Sequence, residues 1–478
     1  GGIVGRLVNE FAVTSAAAVL ISGSVSLTLT PMMASRFLKP PGEVRHGRLY
    51  LLSERVFNGG LRLYDLTLTA AIRHRFVTLM LSFVVLAATA WFFMAVPKGC
   101  IPSEDTGQVR GFTEAIQGIS FPAMVKHQLE ASELIRQDPD VEAFMSSCGS
   151  RGTSSANQGN VFLRLRDRKE RDATADEVLA RLRRKVSGLT GFQVYLQNPP
   201  AISIGGQMTR ALYQFTLQSP DFQDLYHYAP LLEARMRALP GLMDVNSDLL
   251  IKNPQVDIEI FRDKASALGV TSYQLQDSLY SAYGTRQIST MYAPDNQYQV
   301  VMELLPRYQQ DPTVLPLLYV RANSGRLVPL ESVARLKETV GPLSVNHLGQ
   351  LPAATISFNL KPGVALGQAV DQVESLARNL VPATITTSFQ GTAQAFQASL
   401  AGMGLLLLMS IVVIYLVLGI LYESFIHPVT ILSGLPSAGL GAIATLMLFK
   451  VDLNIYAFVG IIMLVGIVKK NAIMMIDF

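Results

Sequence analysis

The stretch LAGMGLLLLMSIVVIYLVLGILY (Leu400–Tyr422) contains no charged side chain. A bilayer core of ~30 Å asks a helix for ~20 predominantly apolar residues, and this run supplies them. Four more runs qualify: Phe11 to Ala34, Phe76 to Val96, Val429 to Phe449 and Ile455 to Ile476. The first is too long for a signal peptide, and Arg36 and Lys39 follow it as a stop-transfer pattern does. Pro436 is compatible with a span because neighbouring helices can satisfy the carbonyl it frees. The expected fold class is therefore a multi-pass α-helical membrane protein.

Charged residues make up 16% of the 478, below the ~25% of soluble domains, and the apolar residues gather at the two ends. Between the first two runs, eight Lys/Arg from Arg36 to Arg75 mark a cytoplasmic loop by the positive-inside rule. Glu54 to Leu68 within it reads as an amphipathic helix on that surface. The segment Pro97 to Ser399 then lies on the opposite, extracytoplasmic side. A net charge of +4 is too mild to argue for nucleic acid. The six histidines are scattered without HExxH spacing, and the lone glycine contexts are not phosphate loops. No metal centre, cofactor or enzymatic activity is expected. Cys100 and Cys148 could pair in an oxidising compartment or remain as thiols.

The extracytoplasmic region alternates strand and helix periods. Gln108 to Ile116, Phe121 to Gln137 and Val141 to Met145 read as βαβ, and Asn160 to Leu165, Ala175 to Val186 and Phe192 to Leu196 repeat it. This is the ferredoxin-like order of an α+β unit. A second such unit is split. Leu212 to Leu217, Asp221 to Leu239 and Met243 to Leu249 form one half, and Ala353 to Asn359, Leu366 to Leu380 and Thr384 to Phe389 the other. The insertion between them contains a strand (Gln255 to Ile260), a helix (Ser272 to Tyr283) and hairpins punctuated by Pro294-Asp295-Asn296 and Asn323-Ser324-Gly325.

Five separated motifs resemble the resistance–nodulation–division (RND) inner-membrane transporters: SLTLTPMMASRFLKP (Ser26–Pro40), IPSEDTG (Ile101–Gly107), SLYSAYGTRQISTMY (Ser278–Tyr292), LGILYESFIHPVTIL (Leu418–Leu432) and VKKNAIMMIDF (Val468–Phe478). GIVKKNAIMMIDF is most similar to the multidrug branch whose pumps can be built from two related subunits. The resemblance implies a bacterial inner-membrane location, proton-driven antiport of amphipathic drugs, and a homotrimer or a heterotrimer with a related subunit. It also implies a periplasmic adaptor (membrane fusion) protein and an outer-membrane channel as partners, besides membrane lipids. The chain corresponds to the sixth through tenth of the family's twelve spans. It divides into a span (1–35), a cytoplasmic loop (36–75), a span (76–97), a porter subdomain (98–210), the first half of a second (211–251), a docking subdomain (252–346), the second half (347–399) and three spans (400–478).

A lysine inside an apolar helix costs ~2.5–3.5 kcal/mol on insertion scales and tends to be functional. The resemblance matches Lys470 to the lysine that answers protonation of the family's intramembrane aspartates, which lie on a span absent from this chain. Lys469 reads as a flanking, snorkelling residue, Asn471 as a relay neighbour or a packing amide, and Asp477 as a helix-end cap near water. In the Ser146–Gly159 segment the resemblance places the loop between the drug pockets. Polar residues and Arg151 stand there where relatives carry phenylalanines, which points to more polar or anionic substrates. Phe144 and Phe162 flank that loop, and Phe112, Glu114, Tyr195 and Gln197 match access-pocket positions. Met124, Met145 and Met208 do not fall where a metal-exporting branch would put thioether ligands. Export of lipids or metal ions by the same fold, and a non-transporting sensor or scaffold, are the alternatives.

Overall fold

The computed structural model describes residues 2–37, 48–99, 104–149, 155–200, 205–207 and 209–477. Five of its helical stretches are long and apolar enough to cross a membrane: Asn9–Phe37, Arg75–Ala95, Gly404–Tyr422, Ile426–Leu448 and Ile455–Ile476. They coincide with the five runs read from hydropathy. The helix Arg48–Arg73 separates the first two and presents Val56, Phe57, Leu63 and Leu66 exposed.

The Ile426–Leu448 stretch is broken. It consists of helices Ile426–Leu432 and Leu435–Leu448, with Pro436 in the first turn of the second piece, where a missing N–H costs nothing. Thr89 on the neighbouring span donates its hydroxyl to the Pro436 carbonyl at 2.9 Å, a polar contact between the two spans.

The strands of the first α+β unit run Gln108–Ala115, Val141–Cys148, Gln158–Leu165 and Phe192–Gln197. In sequence order they lie 2-3-1-4 across the sheet, every neighbour antiparallel. Helices Phe121–Arg136 and Ala175–Val186 cover one face. Period-two alternation puts Val109, Val161, Leu163 and Leu196 beneath them, against Ile135, Val178 and Leu182. Thr174 and Glu177 form a capping box that starts the second helix.

Strands Tyr213–Gln218, Leu242–Ser247, Leu351–Leu360 and Thr386–Gln390 repeat the 2-3-1-4 order, although the insertion separates their halves. Phe215, Leu225, Leu232, Ile356, Phe358 and Val373 fill the core under helices Phe222–Arg237 and Leu366–Leu380. Asp221 caps the first of these helices, its carboxylate accepting from the Gln223 amide at 2.8 Å, rather than lying within it as the sequence reading has it.

The insertion leaves on an antiparallel ribbon, Asn253–Ile260 with Ala334–Gly341. It closes its own core around Leu275, Val320, Leu330 and Val333. Two hairpins extend from it, Arg286–Tyr292 with Gln297–Met302 and Tyr319–Arg321 with Leu327–Pro329.

Among the described residues, core packing ties the second unit to the apolar helices in two places. Helix Gly391–Tyr422 begins inside that unit, with Ala393 and Phe396 in its core, and runs unbroken into the apolar stretch. Ile455, the first residue of the last helix, belongs to the same core.

Candidate substrate cleft

In the first sheet, alternation leaves Arg110, Phe112 and Glu114 of one strand on the face away from the helices. Phe112 is opposite Tyr195, Glu114 opposite Gln193, and Arg110 opposite both Phe162 and Gln197. Five of the residues singled out from the sequence, Phe112, Glu114, Phe162, Tyr195 and Gln197, therefore share one face.

Phe144 does not join them. A register shift between Val141 and Ala143 pairs Phe144 with the buried Leu163 and pairs Met145 with Phe162. Phe144 packs against the helix-side core and lines a separate pocket of about 400 Å³ with Gln128, Ser132 and Cys148. Met145, 60% exposed, stands beside Phe162, while Phe144, read from the sequence as flanking the polar loop with Phe162, turns to the other face. A bulge adds one residue to one strand, and no hydropathy pattern reports it. Met124 is fully buried under its helix. Arg151, Cys100 and Met208 lie outside the described residues.

The shared face borders a cleft of about 930 Å³ between the two α+β units. On one side it is lined by Glu114, Gln117, Arg183, Phe192 and Tyr195, and on the other by Glu233, Arg237, Asp244, Asn246 and Lys252. The two strands flanking it, Phe192–Gln197 and Leu242–Ser247, are each the last strand of their sheet at that side.

Charged side chains cross this cleft in pairs. Arg210 donates to the Glu114 carboxylate at 2.7 Å and, through its other terminal nitrogen, to the Ser247 carbonyl at 2.7 Å. Arg183 sits 2.9 Å from Asp244 and donates to the Leu196 carbonyl at 2.6 Å. Burial pushes the Glu114 carboxyl above the ordinary range, opposed by Arg210 and reinforced by the charge of Glu233. Burial likewise raises Glu233, with Arg237 and Arg210 opposing. The Tyr195 phenol, which donates to Gln193, is pushed up to about 12 by burial and by Glu114. The cleft thus sets the largely buried Tyr195 beside carboxylates whose ionisation costs more than in water. Sequence reading missed Arg183, Arg210, Glu233 and Asp244, because the partners lie far apart in the chain.

A model of the AcrB/AcrD/AcrF family matches residues 1–478. The chain belongs to the AcrB/AcrD/AcrF family. Members of this family are RND efflux transporters. Two crystal forms of a heavy metal efflux pump share its fold. Form II has a TM-score of 0.76 and 21% identity, covering 84% of this chain and 43% of the pump. Form I has a TM-score of 0.75 and 20% identity, covering 83% of this chain and 42% of the pump. The chain therefore spans less than half the length of the pumps it matches.

In this AcrB/AcrD/AcrF-family chain, Lys469 and Lys470 occupy the helix Ile455–Asp477. Lys469, read from sequence as a snorkelling flank, is instead only 7% exposed and packed among the chain's own helices. Lys470 faces away from them and is exposed. The side chains of Asn471 and Asp477 lie outside the described residues.

Proposed function

We propose that the chain is the part of a proton-driven inner-membrane exporter that receives amphipathic small molecules in the cleft between its two α+β units and passes them towards an outer-membrane channel. The observation that carries this reading is the cleft itself. About 930 Å³ bordered by Phe192, Tyr195, Glu114 and Arg183 suits a drug-sized ligand with an apolar body and a polar group. Phe112, Phe162 and Gln197 extend the same wall. The α+β units are porter subdomains in the periplasm, and the lobe at 252–346 docks on the channel. The working pump is a trimer, of one subunit or of two related ones, with a periplasmic adaptor.

Lys470 is the residue through which proton movement reaches this chain, with Asn471 beside it. Its exposure on the last helix is what a carboxylate on another span requires of a partner. Drug export is the main reading. Metal-ion export is the second, because the solved pumps that share the fold are named for heavy metals.

The test is export by the full-length pump in a drug-sensitive host. Phe112→Ala and Phe162→Ala should each change which compounds are exported while protein levels hold. Uniform loss with depleted protein would return both residues to a packing role. Metal tolerance conferred without any drug tolerance would replace the first reading with the second.

A further inference from the structure

The ion pairs across the cleft join elements that nothing else in the sheet topology connects. Glu114 belongs to the first sheet. Arg210 is anchored on the second, by the Ser247 carbonyl and by Asn246 Oδ1 at 3.5 Å. Arg183 lies on a helix of the first unit and Asp244 on the edge strand of the second. Asp244 is held for this contact at some cost. Its φ of +54° is left-handed, a conformation that non-glycine residues adopt sparingly. It sits near a register shift between its strand and Leu351–Leu360. Asn359 steadies it by donating to Asp244 Oδ2 at 2.9 Å, the oxygen that also faces Arg183. A bulge that re-aims a side chain towards a partner is a recognised use of such irregularity.

We propose that Glu114–Arg210 and Arg183–Asp244 form a two-point latch that sets the width of the cleft by holding the two α+β units together. This rests on reading the cleft as the cargo path only for its purpose; the latch itself is a statement about width. All four side chains are mostly shielded, so each pair is a charge-assisted contact with little water to compete for it. Among the described residues the further hydrogen bonds on this side run from the Lys252 amide to Gln117 Oε1 at 2.7 Å and from Arg183 to Met243 Sδ at 3.7 Å. The first of these lies at the root of the insertion.

The experiment measures spin-label distances in the full-length pump, with Cys100 and Cys148 replaced by serine and labelled subunits diluted with unlabelled ones. The labels sit at Arg184→Cys and Arg235→Cys, exposed positions on helices of the two units and outside both pairs. The parental distribution is expected to be narrow. Glu114→Gln and Asp244→Asn should each raise the long-distance population about tenfold, the order a charged hydrogen bond sets, and together more so. Asparagine tolerates the left-handed backbone at 244. Arg183→Lys, which keeps the cation, should stay near parental, whereas Arg183→Gln should open the cleft. An unchanged distribution in the Glu114→Gln, Asp244→Asn double variant would overturn the latch. The distances are read without transport, so failure of the export tests above would remove the cargo reading and leave this result intact.

Discussion

Replacing Asp248 with asparagine should make the second α+β unit more stable at neutral pH and erase a pH dependence. Asp248 Oδ1 accepts from the Thr355 amide at 2.7 Å, and Oδ2 from Asn346 Nδ2 at 2.9 Å. Burial nevertheless outweighs these bonds and pushes its carboxyl from 3.8 up to about 6. A carboxyl raised in the folded state stabilises the fold fully below its unfolded value. That contribution is lost as pH rises through about 6. The rise of about two units corresponds to roughly 3 kcal/mol at 1.36 kcal/mol per unit, a ceiling on the loss above pH 6. Asparagine keeps an oxygen for the Thr355 amide, and rotation of the Asn346 amide by a half-turn restores the second bond. Hydrogen exchange of the amides in Tyr213–Gln218 and Leu351–Leu360, at pH 5 and pH 7.5, reads the opening free energy of this unit in the intact protein. Wild type should lose protection between the two values after correction for intrinsic exchange, by about 1.4 kcal/mol for a group that moves from 3.8 to about 6, and Asp248→Asn should not. Equal protection at both values in wild type would refute the argument, as would a variant less protected than wild type at pH 7.5.

Lys470→Met should leave a full-length pump that is expressed and binds drug but does not export it, because a carboxylate on another span loses its cation; normal export would end the relay assignment. Lys469→Met removes a charge packed among the chain's own helices, so it should raise the protein's thermal stability in detergent; a lowered melting temperature would show that Lys469 makes a stabilising contact there. Phe358→Ala removes a fully buried ring from the second core and should cost about 3 to 5 kcal/mol, seen as reduced abundance and protease resistance. Reporter fusions should be cytoplasmic at Arg48 and periplasmic at Ser324, and a periplasmic signal at Arg48 would invert the whole topology.

Much of this protein is written locally. Apolar runs of bilayer length need no tertiary context, so the five membrane-length helices were legible from hydropathy alone. Helices Ala175–Val186, Ser272–Tyr283 and Leu366–Leu380 coincide with their periodicity because the amphipathic face lies within each segment, and capping boxes at Thr174 and Thr271 start the first two. The split repeat was legible as well, since each half carries its own strand–helix–strand pattern.

The tertiary structure decided what depends on distant partners. A one-residue bulge placed Phe144 under the helices and Met145 on the open face, because side chains alternate with period two and one extra residue exchanges the faces. The cleft charges Glu114, Arg183, Arg210 and Asp244 became pairs only when two sheets met edge to edge. Of two adjacent lysines, packing buried Lys469 and left Lys470 exposed, since neighbours on a helix point about 100° apart and only one can face the chain's own bundle. Alternation, caps and span length are short-range consequences of backbone geometry. Which side chains meet across a cleft is set by the closure of the whole chain.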